Sequence, residues 1–215
     1  AIWAEAISVG LACGIYGINV GHELGHRPGF WPQTLARISL YSSLYAHFRI
    51  EHNYGHHRRV ATPGDPATAR SGEFLYFFYI RSIIGSYLSA WRITRSRLRS
   101  RHQAFFSWHN EMLIDHLVQL LLALSIYVLA GGVALQVFLL AAAIGILLLE
   151  TVNYIEHYGL LRARQGDRFE RVRPRHSWNS NHIPGRIFLF NLPRHSDHHA
   201  EASRKYRSEE RRVGK

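Results

Sequence analysis

Residues Leu117 to Leu149 carry no charged side chain, and Gln119, Ser125 and Gln136 are their clearly polar interruptions. One helix of that length would run ~50 Å, against a hydrocarbon core of ~30 Å. Gly131-Gly132 lies near the middle. The pattern therefore predicts a helical hairpin with arms at roughly 110–130 and 133–154. Ala1–Val20 is a second apolar stretch with Glu5 its single charge, and 34–50 is moderately apolar. Segment 74–91 is aromatic and apolar, but Arg81 interrupts it, and Arg92, Arg95, Arg97, Arg99 and Arg101 follow. An aromatic stretch with a basic flank suits a helix lying at a membrane interface; an arginine near the middle argues against a full span. The fold class this predicts is all-α, a polytopic transmembrane helical bundle. The alternative for the hairpin is a pair of core helices in a soluble protein.

Polar chemistry is concentrated where the apolar segments end. The first leads into His22, segment 34–50 into His52, and the second hairpin arm into His157. Helices entering from one side would bring these ends to one membrane face. The Arg-rich stretches 92–101 and 162–175 lie outside the spans, and the positive-inside rule places them, and the histidines with them, in the cytoplasm.

Nine of the fifteen histidines fall in four clusters, His22-Glu23-Leu24-Gly25-His26, Glu51-His52-Asn53-Tyr54-Gly55-His56-His57, Glu156-His157 and His195-Ser196-Asp197-His198-His199. Spacings of three and four residues place imidazoles on one helix face, where they converge on a point. A tetrahedral ion takes three or four ligands, so nine candidates point to a histidine-rich site for two metals. Cys13 is the sole cysteine, which excludes a thiolate cluster and an internal disulfide. Imidazole suits zinc, copper, iron and nickel, so ligand type leaves the metal open. Each cluster carries an acid. Glu23, Glu51, Glu156 and Asp197 are candidates to orient ring N–H groups behind the ligands, or to bind directly. His47 is a candidate supporting residue, and His176 and His182 are candidate pocket residues. His102, His109 and His116 lack cluster spacing. HELGH also matches the HExxH pattern of zinc peptidases, but that reading accounts for two histidines and leaves the other clusters without a purpose.

The 26 Lys+Arg against 15 Asp+Glu give a net charge of +11. Such a balance suits nucleic acid, anionic lipid or an acidic partner. No zinc-finger, RNP or helix-turn-helix pattern is present, so nucleic acid is not an expected partner. The chain opens inside an apolar stretch without an initiator Met, which suggests a fragment. Residues Arg207–Lys215 back-translate into a string that looks like a sequencing adapter read in frame, so the expected native core is 1–206 and 207–215 an artefactual tail.

Five segments carry a family resemblance: HELGHR (22–27), EHNYGHHRRVATPGDPA (51–67), NYIEHYGL (153–160), HSWNSNH (176–182) and RHSDHHA (194–200). Together they resemble the signature motifs of the integral-membrane alkane 1-monooxygenases. The three-box histidine pattern is shared with fatty-acyl desaturases; NYIEHYGL and RHSDHH are more particular to the hydroxylases. The resemblance implies two non-haem iron ions at the cytoplasmic ends of six transmembrane helices in a bacterial inner membrane. Its nine iron ligands fall on His22, His26, His52, His56, His57, His157, His195, His198 and His199. It implies O2 as co-substrate, terminal hydroxylation of a medium-chain alkane, and rubredoxin, a small acidic protein, as electron donor on the basic cytoplasmic face. By this resemblance the first transmembrane helices, which supply much of the substrate channel, lie outside the chain, and Pro193 stands where the family more often has Gln. Two other readings are a hydroxylase of xylene-type aromatics or fatty-acid termini, and a non-catalytic membrane metal-binding protein.

Overall fold

The computed structural model describes residues 2–180, 182, 183, 185 and 195–200, with the side chains of Asp197 and Ala200 left out. The 207–215 tail, Pro193 and the Asp197 side chain lie outside the described residues. Helix α1 (Ile2–Ala12) passes through a π-helical stretch (Cys13–Ile18) into α2 (Asn19–Gly25). Then come α3 (Phe30–Tyr41), α4 (His47–Glu51), a second π-helical turn (His52–His56), α5 (His57–Arg59), α6 (Leu75–Ser100) and α7 (Glu111–His157). A two-stranded antiparallel hairpin follows, β1 (Arg164–Gln165) with β2 (Arg168–Phe169), then a 3-10 turn (Pro174–His176) and α8 (His195–Ala200). The chain is mostly helical, and among the described residues this short hairpin is its β structure. Two helical stretches, Ile2–Gly25 and Glu111–His157, are long and apolar enough to cross a membrane. The chain divides into two units, residues 1–55 with 84–149, and 56–83 with 150–215.

In the first unit, α7 loses helical backbone angles at Gly131 (φ 84°, ψ 174°). On one side of that break, Asp115 accepts a hydrogen bond from Tyr41 (2.7 Å). On the other, a Cβ built on Gly145 would lie 3.2 Å from Ser43 Oγ. A straight helix would hold Asp115 and Gly145 ~45 Å apart, yet both meet residues two positions apart in the chain. The helix therefore folds back at Gly131, the glycine that tolerates this positive φ, and the predicted hairpin is present. The returning arm crosses α1 at small residues. A Cβ on Gly10 would meet Ile144 Cβ at 2.7 Å, and one on Gly14 would meet Leu148 Cδ2 at 2.8 Å. Such close backbone approach is how helices associate where lipid gives no hydrophobic drive.

Segment 34–50 is not one helix. It breaks between α3 and α4, where Leu44 takes φ 52° and the Leu40 carbonyl accepts from both Ser43 and Tyr45. Ser42 and Ser43 favour this break, because serine side chains compete for nearby backbone groups; Ser42 Oγ donates to the Ser39 carbonyl (2.7 Å).

In the second unit, Arg81 explains itself. Its guanidinium forks onto Glu73 (Nε–Oε1 and Nη2–Oε2, both 2.7 Å) and donates to the carbonyls of Pro66 (2.9 Å) and Thr68 (3.0 Å). The charge that breaks the apolar run in α6 thus fastens the 60–73 loop instead of facing hydrocarbon. The same loop is tied to the end of α7 by Gly159 N–H to the Ala69 carbonyl (3.0 Å) and Tyr154 Oη–H to the Glu73 carbonyl (2.6 Å).

Candidate metal centre

Four buried histidines of the second unit converge. His56 comes from the π-helical turn, His157 from the last residue of α7, and His195 and His199 from one face of α8. Their candidate ligand atoms lie within 4.8 Å of one another. Nε2 of His56 and His199 are 3.2 Å apart, those of His157 and His195 are 3.2 Å apart, and those of His195 and His199 are 2.6 Å apart. Metal–imidazole bonds of ~2.0–2.1 Å at tetrahedral or octahedral angles hold donors roughly 3 Å apart. Imidazole lone pairs packed this closely repel one another unless a cation or protons stand among them. Protons are disfavoured here. Burial, with His195, His57, His56 and His157 around it, holds His199 well below the usual imidazole range. A neutral imidazole offers a lone pair to a cation, so the donor set fits a divalent metal.

The orientation of His56 is fixed from behind. Its Nδ1 lies 2.9 Å from Oδ2 of Asp65, and a carboxylate only accepts, so Nδ1 carries the proton and Nε2 points its lone pair inward. Asp65 is itself fully buried and takes a second bond from Thr68 Oγ1 (2.6 Å). Burial would raise the Asp65 carboxyl, but His56 and the hydrogen bonds from His56 and Thr68 outweigh it and hold it below its usual range. Ser177 Oγ sits 3.5 Å from Nδ1 of His157, a longer contact on the outer side of that ring.

A second convergence lies in the first unit. Nε2 of His22 is 2.8 Å from that of His52 and 3.3 Å from that of His26. The Phe48 ring stacks on His52 at 4.8 Å and excludes water from one side. The C-terminal carbonyl of α2, Gly25 O, would be an orphan acceptor; Gln33 Nε2 and Asn53 Nδ2 both donate to it at 2.8 Å. Gln33 is held in turn by Arg49 Nη1 (2.8 Å), and the buried Arg49 pairs with Glu111 (2.7 Å). These bonds lock the helix carrying His22 and His26 to the segment carrying His52.

The i,i+4 spacing predicted one face for each pair. His22 with His26 and His195 with His199 follow it. His52 belongs to the triad and His56 to the tetrad. Residues His52 to His56 form a π-helical turn, a feature that recurs at functional sites. His57 lies against His198 (ring centroids 4.9 Å) and His199 (4.5 Å).

Of the four sequence-selected acids, Glu23, Glu51 and Glu156 occupy different places, and the Asp197 side chain lies outside the described residues. Glu156 is buried, with Oε2 3.4 Å from Nε2 of His195, on the ligand side of that ring. Glu23 is partly exposed and pairs with Arg27 (2.8 Å). Glu51 is buried in α4. Asp65, which orients the His56 ring, was not among the four. His47 is buried between the rings of Tyr45 and Tyr87. His176 pairs with Glu170 (3.3 Å) and accepts from Arg173 N–H, and His182 is exposed.

A protein-family model described as fatty acid desaturase matches residues 1–207. The chain belongs to the fatty acid desaturase family. Within that family's range it is 46% identical over 208 residues to the alkane 1-monooxygenase of Ectopseudomonas oleovorans and 44% over 210 residues to that of Pseudomonas putida, each alignment covering 96% of this chain and 52% of the relative. It is 30% identical over 199 residues to the xylene/toluene monooxygenase hydroxylase component XylM of Pseudomonas putida, covering 91% of this chain and 52% of that protein. The chain spans about half the length of the curated relatives it matches. The histidine boxes of this desaturase-family chain all lie inside the matched range.

Proposed function

We propose that this chain is the metal-binding part of a membrane monooxygenase that hydroxylates the terminal carbon of medium-chain n-alkanes, using O2 and electrons from rubredoxin. The observation that carries the reading is the buried tetrad His56, His157, His195 and His199, on a chain 46% identical to an alkane 1-monooxygenase. Oxygen insertion requires a metal that changes oxidation state, which zinc does not. Copper also changes oxidation state, so it is the resemblance to alkane monooxygenases that selects iron, and we assign two ions per chain. The tetrad holds one, His22, His26 and His52 supply donors to the other, and His57 and His198 complete the nine. Iron bound there would supply the electron transfer to O2 that the side chains cannot.

The residues of the chain do the rest. Asp65 keeps the His56 proton on Nδ1, leaving Nε2 as a donor. Glu156, 3.4 Å from His195 Nε2, is placed as a further oxygen donor to the same ion. Burial of all four tetrad rings keeps bulk water from the reacting centre. An alkane carries no group for polar recognition, so it enters from lipid and is held by shape along apolar helices. The site faces the cytoplasm of the inner membrane, where exposed arginines meet the acidic donor.

A second reading, oxidation of a methyl group on an aromatic ring, draws on the similarity to XylM. The higher identity to alkane monooxygenases favours the alkane. The test is a membrane preparation of the full-length protein supplied with rubredoxin, its reductase and either octane or p-xylene. Formation of 1-octanol supports the reading. Products from p-xylene alone favour the second, and no oxygenated product from either contradicts both.

A further inference from the structure

We propose that the outward face of the α6 C-terminal half, with the loop after it, is a binding site for the headgroup of an anionic phospholipid. The inference rests on the membrane reading above. At 100° per residue, Ile84, Leu88, Arg92, Arg95 and Arg99 share one face of α6. Ile84 and Leu88 are about half exposed, so apolar side chains on this face give way to arginines within two turns. That sequence of groups matches the passage from acyl chain to phosphate, with arginine stems lying along the apolar surface and their charges reaching the headgroups. Arg97 points the opposite way, over the Tyr54 ring (4.2 Å) and 3.6 Å from Glu111, so it is not part of this face.

The loop supplies the second observation. Phe106 and Trp108 are each 85% exposed, an expensive arrangement in water and an ordinary one for aromatic rings at headgroup level. Phe105 between them and the helix is anchored by stacking on Trp91 at 5.8 Å. A groove of about 420 Å³ runs between loop and helix, lined by Arg95, Leu98, Arg99, Gln103 and Phe105. Its lining holds two cations, no acid, and apolar carbon from Leu98 and Phe105. A phosphate diester carrying an acyl chain satisfies both halves. An acidic protein would satisfy the cations but leave Phe106 and Trp108 in water.

Native mass spectrometry of the purified full-length protein, after exposure to mixed phosphatidylglycerol and phosphatidylcholine vesicles, reads the retained lipid. The expected result is preferential retention of phosphatidylglycerol. It should fall on the order of 25-fold in the Arg95→Gln/Arg99→Gln pair, about fivefold for each charge removed near a membrane surface. Inorganic phosphate should not displace it. Trp108→Phe should reduce the part of the tryptophan emission that brominated lipids quench. Equal retention of the two lipids, displacement by phosphate, or unchanged quenching in Trp108→Phe would overturn the proposal. Unchanged lipid retention in the arginine pair, with slower reduction by an acidic donor, would assign the face to protein docking instead. Release of the wild-type chain from membranes by carbonate would overturn the membrane reading itself, and this inference with it.

Discussion

Nδ1 of His56 donates to Oδ2 of Asp65 across 2.9 Å, and both side chains are fully buried. This pair converts one imidazole of the tetrad from a ring with two possible tautomers into a fixed donor. It also places a negative charge behind the ring, which raises the basicity of the nitrogen that faces the metal. Asp65 reaches this position because the loop around it is fastened three ways, by Thr68, by Arg81 on the Pro66 and Thr68 carbonyls, and by Gly159 on Ala69.

Replacing Asp65 by Asn keeps the shape and removes the charge. Metal affinity should fall about 10- to 100-fold, the usual effect of losing such a partner. Chelator competition with elemental analysis checks this. Unchanged affinity would mean that the Asp65–His56 bond serves the fold alone.

The Glu73–Arg81 fork should make stability depend on acid. Hydrogen bonds from Arg81 hold the Glu73 carboxyl below its usual range. The stabilisation it gives is fully present above the unfolded value of ~4.3 and is lost as pH falls through the lower folded value. Glu73→Gln should therefore destabilise the protein at pH 7 by about 1–3 kcal/mol. The gap from wild type should close below about pH 4. Thermal melts in detergent across that range read both effects.

Gly10 tests the helix crossing. An added methyl would press on Ile144 Cβ and on the Ala141 carbonyl, which is backbone and cannot move aside. Gly10→Ala should lower stability by about 1–3 kcal/mol, as overpacking does. Gly132→Ala is the control, since its Cβ would meet Tyr127 at a comfortable 3.8 Å. Equal melting temperatures for the two variants would count against close packing of α1 on the returning arm.

The features legible in sequence were those with a local period. The hairpin was visible because a charge-free run too long for one span carries a glycine pair in its middle. His22 with His26, and His195 with His199, were visible because ordinary helical spacing governs them. His52 and His56 share that spacing, yet one belongs to the triad and the other to the tetrad, and no residue pattern announces the π turn between them. The break at Leu44 had only Ser42 and Ser43 to announce it. Asp65 has no such local signal, because it does not neighbour in the chain the histidine it orients. Its partner lies nine residues away through a turn, and the one available signal was an aspartate held in the TPGDPA stretch. Glu23 does neighbour His22 in the chain and pairs with Arg27.

In the proposed function, histidines of this chain hold iron for oxygen insertion. The most direct measurement is the metal content of the full-length protein extracted from membranes, with single His157→Ala and His22→Ala variants beside it. The account predicts about two irons per wild-type chain and a loss of about one in each variant, His157 emptying the tetrad and His22 the triad. One zinc per chain, or an iron content that neither substitution changes, would contradict it.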